Sequence, residues 1–91
     1  MDWGQESSTR LTASSQVKDT HGRVLRIVVE NTSAAEGYVK LYNATSATGT
    51  PAWEITTPAD GGWIRQFTLE QEFPSGIYAE LSNVQVTITY L

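Results

Sequence analysis

Apolar and polar residues alternate in short runs along most of this chain, and glycine, proline or asparagine separates the runs. The clearest run is 37–42, in which Val39 and Leu41 alternate with two tyrosines and a lysine. A period of two residues is typical of a β-strand with one buried and one exposed face. The 3.6-residue period of a helix is not sustained anywhere in the sequence. The pattern therefore predicts an all-β chain in which run 37–42 carries amphipathic side chains on its exposed face.

The runs predict a single antiparallel β-sandwich or jelly-roll-like domain of about seven strands over residues 9–91. Residues 1–8 are predicted to form an extended N-terminal arm. The alternation indicates one half-exposed strand from Thr9 to Lys18, and the β-branched run from Arg23 to Glu30 is expected to be the most buried strand. The residues predicted to face the core are Leu11, Ala13, Val17, Leu25, Ile27, Val29, Val39, Leu41, Ile55, Phe67, Leu69, Ile77, Ala79, Val84, Val86 and Ile88.

Composition argues against several classes of partner. A chain of 91 residues suits one domain, and its net charge of −4 with six scattered Lys and Arg argues against nucleic acid. No stretch approaches the roughly 20 apolar residues that span a bilayer, and no signal peptide is evident, so we expect a cytoplasmically made protein with no membrane partner. Without cysteine there is no disulfide, thiolate metal site or thiol nucleophile.

The sequence offers little for catalysis. The single histidine, His21, lies in a predicted turn, where an inert side chain is far more common than a catalytic base. Glu70 and Glu72 have the spacing of a minimal glycosidase-like pair, but edge charges that discourage strand pairing explain them better. The Asp60-Gly61 turn lacks the alternate ligands of a calcium loop. We predict no catalytic, cofactor or metal site, and hence no enzyme.

Aromatic residues are the remaining signal. Trp53 and Trp63 flank the Asp60-Gly61 turn, where they could stack on each other or face outward. Exposed aromatic side chains on a sandwich serve either as a sugar-stacking platform or as anchors of a protein interface. One candidate function is therefore a carbohydrate-binding module that uses Trp53, Trp63 and Tyr78.

A resemblance favours the other interpretation. The segment 28–51 contains Tyr-Val-Lys-Leu-Tyr-Asn followed by Thr-Gly-Thr-Pro, and Phe-Pro-Ser-Gly-Ile-Tyr follows at 73–78. From about Val24 to Leu91 the chain resembles small β-sandwich virion proteins of tailed bacteriophages. The resemblance implies a structural role, as a cement or decoration protein that binds the outer head surface and ties major capsid protein subunits together. A tail or connector component of the same particle is the alternative within this resemblance.

A cement role predicts which surfaces meet other subunits, although the first twenty residues lie outside the resemblance. The segment from Met1 to Leu11, with Trp3, is expected to anchor on a neighbouring subunit, and the loop from Thr45 to Trp53 is expected to face the capsid or a neighbour. We expect a homo-oligomer, a dimer or a trimer, on the outer capsid surface of the virion. The predicted interface residues are Trp3, Leu11, Thr48, Thr50, Pro51, Trp53 and Trp63.

Overall fold

A computed structural model describes residues 6–59 and 62–91, and this part of the chain is built from strands with no helix. Accordingly, no membrane-spanning helix is found within these residues. The expectation of an all-β fold is confirmed. The eight strands are β1 (Ser7–Leu11), β2 (Ser15–Lys18), β3 (Gly22–Asn31), β4 (Gly37–Tyr42), β5 (Trp53–Thr57), β6 (Trp63–Phe73), β7 (Ile77–Ser82) and β8 (Gln85–Tyr90).

The strands form two four-stranded antiparallel sheets in a sandwich-like arrangement. Sheet A has the order β1-β8-β3-β6, and sheet B has the order β2-β7-β4-β5. The first strand thus pairs with the last, the second with the seventh, the third with the sixth and the fourth with the fifth. These nested pairs are the ones that a single long antiparallel hairpin forms when it folds over into two sheets.

The predicted first strand is two strands in different sheets. β1 pairs with β8 in sheet A, whereas β2 pairs with β7 in sheet B, and residues 12–14 connect them. The Ser14 hydroxyl accepts a hydrogen bond from the Leu81 amide at 2.9 Å, which holds the connection against sheet B. The prediction that Ala13 faces the core is therefore wrong, since Ala13 is exposed in the connection. Alternation alone does not reveal that a strand has changed sheets.

Both sheets contribute to one apolar core. Fully burying an aliphatic side chain of this size stabilises the fold by about 1.5–3 kcal/mol. Because the buried faces of both sheets meet here, the core holds the two sheets together. Its buried members are Val24, Ile27, Val29, Val39, Leu41, Phe73, Ile77, Ala79, Val84, Val86 and Ile88.

A bulge in β3 overturns a second prediction. The register shifts between Val24 and Arg26 in the pairing with β8 and in the pairing with β6, where Glu70 has a φ of 47°. One inserted residue moves the following side chains to the other face of a strand. Val24 is consequently buried, whereas Leu25, predicted to face the core, lines a shallow cleft on the outer side of sheet A.

The buried side chain of Asn31 connects the two sheets. Asn31 ends β3 in sheet A, and its Nδ2 lies 2.8 Å from Oγ1 of Thr57 in sheet B. The same nitrogen lies 3.0 Å from the Ala35 carbonyl oxygen and 3.1 Å from that of Pro58, and Oδ1 accepts the Ser33 amide at 2.7 Å. A buried amide is stabilising only when its polar atoms are satisfied, as they are here.

Replacing Asn31→Ala should lower the free energy of unfolding by about 3 kcal/mol, because it leaves several partners without a hydrogen bond. Urea unfolding followed by tryptophan fluorescence measures the change. Asn43→Ala is the matched control, since Asn43 is exposed and its side chain accepts one hydrogen bond, from the Ser75 amide at 2.7 Å. Equal losses in the two variants would contradict the role given to Asn31.

Candidate binding surface

The residues predicted to form an interface are spread over several elements of the structure. Trp3 lies outside the described residues. Leu11 is half-buried on β1 and Trp63 is half-buried on β6, at opposite edges of sheet A. Ser7 and Ser8, assigned to the N-terminal arm, belong to β1 and pair with β8. The two side chains are therefore separated by the width of sheet A.

The tryptophans of β5 and β6 pack against the core instead of facing outward. Trp53 contacts Phe67 edge to face, with ring centroids 5.4 Å apart, so its aromatic partner is Phe67. The Arg65 guanidinium lies 5.6 Å from the centroid of the Trp63 ring. Both tryptophans are half-buried against core residues. Substituting either would disturb packing, so neither variant tests ligand binding alone.

The loop between β4 and β5 is held at its two ends and exposed between them. The Ala52 amide donates to the Leu41 carbonyl at 2.8 Å, next to the start of β5. Thr48 and Thr50 are exposed, and Pro51 is half-buried. The loop thus leaves the end of the sandwich as an accessible segment, and its contact with a capsid or neighbour stays a prediction.

The acidic residues considered for catalysis lie in a group of surface ion pairs. Glu72 bonds to His21, and Arg23 lies 3.5 Å from Glu70 and 3.7 Å from Glu72. All four side chains are at least 41% exposed, so each pair contributes at most about 1 kcal/mol. Within residues 6–59 and 62–91, no three His, Cys, Asp or Glu side chains converge as metal ligands would. The Asp60-Gly61 turn lies outside the described residues.

The outer side of sheet B carries a group of aromatic and charged side chains, which we call the tyrosine face. Because alternate residues of a strand point to opposite sides, the buried Val39 and Leu41 place their neighbours on β4 outward. The adjoining strand β7 does the same around the buried Ala79. The tyrosine face consists of Tyr38, Lys40, Tyr42, Tyr78 and Glu80.

Glu80 organises the tyrosine face. Its Oε1 accepts a hydrogen bond from the Tyr42 hydroxyl at 2.7 Å, and its Oε2 lies 3.4 Å from the Tyr38 hydroxyl. Lys40 is in direct register with Glu80, and its ammonium lies 4.9 Å from the centroid of the Tyr38 ring. Tyr42 meets Tyr78 edge to face, with centroids 6.5 Å apart and ring planes at 61°. Each side chain is thus held by a neighbour.

The Tyr42 hydroxyl is a fixed hydrogen-bond donor. Its hydrogen bond to Glu80, burial and nearby negative charge raise the pKa of Tyr42 from 10.0 to about 12. The hydroxyl therefore stays protonated near neutral pH, and the Glu80 carboxylate keeps its acceptor role. Tyr42 is 7% exposed, whereas the other members of the face are half-buried.

This arrangement suits recognition of another molecule. Tyrosine combines a large apolar ring with a polar tip, and it loses little conformational entropy on binding because it has few rotatable bonds. The sequence predicts amphipathic side chains on this side of β4, but it does not predict the group that they form with β7. The missing information is the position of Glu80, which is 38 residues from Tyr42 in the chain. The spacing of Tyr38, Lys40 and Tyr42 is the only local signal.

No family model, curated protein or solved structure matches the chain. The resemblance to virion proteins of tailed phages therefore stays a prediction made from the sequence.

Alkaline titration should show a tyrosine with a pKa of about 12, which Tyr42→Phe removes and Tyr90→Phe leaves in place. Because the folded-state pKa is raised, the contribution of Tyr42 to stability is complete below pH 10 and is lost as the pH rises to about 12. The ultraviolet absorbance of tyrosinate follows the titration. Persistence of the late step in Tyr42→Phe would show that the step does not belong to Tyr42.

Proposed function

We propose that this chain is a non-enzymatic structural protein of a tailed-phage virion, a cement protein that binds the outer head surface. The tyrosine face is proposed to contact the major capsid protein, together with the exposed loop between β4 and β5. The observation that carries the proposal is the location of the Tyr-Val-Lys-Leu-Tyr-Asn motif. Its outward residues are three of the five members of the tyrosine face, and the Thr-Gly-Thr-Pro segment that follows lies in the accessible loop.

The second motif has a structural explanation. Gly76 has a φ of 131°, and a Cβ there would lie 2.9 Å from the Lys18 carbonyl oxygen and 3.0 Å from that of Ala44. Only glycine fits this position without displacing backbone, so folding explains the glycine of the Phe-Pro-Ser-Gly-Ile segment. The β4 motif differs, because packing accounts for Val39, Leu41 and the buried Tyr42 but not for the half-buried Tyr38 and Lys40.

We also propose that the fold is a jelly roll. The order β1-β8-β3-β6 opposite β2-β7-β4-β5, with the strands nested as pairs, supports this assignment. Eight-stranded jelly rolls occur in viral capsid proteins and in lectins, so the assignment is compatible with virion and sugar-binding functions alike. The choice between a virion function and sugar binding therefore depends on the residues at the protein surface.

The geometry of the rings favours a protein partner over a sugar. A stacking platform needs rings that share a plane, whereas Tyr42 and Tyr78 are inclined at 61° and the Tyr38 ring already contacts the Lys40 ammonium. Inclined rings beside a hydrogen-bonded carboxylate form an uneven amphipathic surface, and such surfaces anchor protein interfaces. Carbohydrate binding is the second candidate because aromatic rings and a carboxylate do share this face.

The first test is whether the protein is present on phage heads. Particles purified from lysates of the strain that carries the gene are labelled with immunogold using antibodies raised against the recombinant chain. The proposal predicts labelling of heads at high copy number and loss of head stability in particles that lack the protein. Labelling confined to tails would favour the connector alternative, and unlabelled particles would contradict a virion role.

Binding of variants to heads that lack the protein tests the contact surface. The double variant Tyr38→Ala and Tyr78→Ala should weaken binding by about tenfold or more, because aromatic anchors contribute most of the energy of such interfaces. Thr87→Ala, on the outer side of sheet A, is the control and should bind normally. If both bind normally, the contact lies elsewhere. If polysaccharide in a native gel retards the natural chain but not the double variant, the result would favour carbohydrate binding.

A further inference from the structure

β6 is an edge strand of unusual length for this chain. It has 11 residues, pairs with β3 on one side, and has no partner strand on its other side among the described residues. The other edge strands, β1, β2 and β5, have five, four and five residues. An exposed edge presents unpaired backbone groups to other chains, and natural proteins protect such edges with bulges, charges or short strands.

Only the second half of β6 has that protection. The bulge at Glu70 interrupts it, and Glu72 adds another negative charge. From Trp63 to Thr68 the pairing with β3 is continuous, and within 63–69 the single charged residue is Arg65. Ile64 is 62% exposed, the largest exposure among the big apolar side chains described. We call residues 63–69 the open half of β6.

We propose that the open half of β6 is a self-association surface on which a second copy of this chain pairs antiparallel, with the two-fold axis at Gln66. Sheet A would then continue from one subunit into the next, because each β6 supplies the missing partner of the other. This inference goes beyond the proposed function and does not depend on it. A two-fold interface of this kind is self-complementary by construction.

The side chains favour this register. With the axis at Gln66, Arg65 lies opposite Phe67 of the partner subunit, a cation and an aromatic ring on the same face of the sheet. Ile64 lies opposite Thr68 of the partner subunit, and Trp63 lies opposite Leu69 of the partner subunit. These pairs cover the exposed Ile64 and the half-buried rings without placing like charges opposite one another.

Neighbouring registers are less favourable. An axis at Arg65 would place two guanidinium groups opposite each other, which destabilises a strand pair. An axis at Phe67 would bring Ile64 opposite Glu70 of the partner subunit, where the bulge interrupts regular pairing. The register centred on Gln66 avoids both problems. It also leaves the tyrosine face free, because that face lies on sheet B.

A single introduced cysteine tests the register, since the chain has none of its own. Gln66→Cys should form a disulfide-linked dimer under mild oxidation at micromolar concentration, because directly opposed residues of antiparallel strands have Cα atoms about 4.5–5.5 Å apart, a separation that a disulfide spans. Thr56→Cys, exposed on the edge strand β5, is the matched control and should cross-link at least about tenfold more slowly. Equal rates would overturn the proposal.

Sedimentation velocity without any cross-link provides the second measurement. The natural chain should form a dimer, and Gln66→Lys should raise the dimer dissociation constant by about tenfold or more, because it places two lysines at the axis. Gln66 is exposed, so circular dichroism should show an intact fold in this variant. A natural chain that stays monomeric, or a dimer that Gln66→Lys leaves unchanged, would overturn the proposal.

Discussion

The hydrogen bonds of Asn31 are the constraint on which the arrangement of the two sheets most depends. Apolar contacts hold the sheets together but tolerate small shifts, because hydrophobic attraction has no direction. Asn31 adds direction, since its amide joins the end of β3 to Thr57 in the opposite sheet and to the following loop. A buried amide loses these partners if one sheet moves relative to the other, so it favours a single alignment.

The sequence predicts where most strands lie, but it does not predict which strands pair with each other. Alternation identifies β4, β7 and β8 because each has one face in the core and one less buried outer face. It fails where the chain changes sheets at residues 12–14, and again at Leu25, where a bulge reverses the phase within an almost continuous apolar run. Both features depend on the neighbouring strands, and a local pattern carries no information about those neighbours.

The candidate surface illustrates the same limit. The sequence directs attention to Trp53 and Trp63 because exposed tryptophans are informative, but the fold uses both rings to close the side of the sandwich between β5 and β6. The tyrosines become distinctive only when β7 brings Glu80 beside them. A surface built from strands that are distant in sequence has no motif of its own, apart from the spacing of Tyr38, Lys40 and Tyr42 on one strand.

The resulting molecule is a two-sheet domain with two separate surfaces suited to contact. The tyrosine face lies on sheet B, whereas the open half of β6 lies at the edge of sheet A. A protein that ties a shell together needs both attachment to the shell and a stable frame, and neither surface requires the core to change. We propose the tyrosine face as the principal contact with the particle.

Hydroxyl-radical footprinting of the free protein and of assembled phage heads tests that claim most directly. The account predicts that oxidation of Tyr38 and Tyr78 falls several-fold on the particle, while Thr87 on the outer side of sheet A keeps its reactivity. Unchanged oxidation of both tyrosines in labelled heads would contradict the central claim, because a surface that stays exposed on the particle does not bind it.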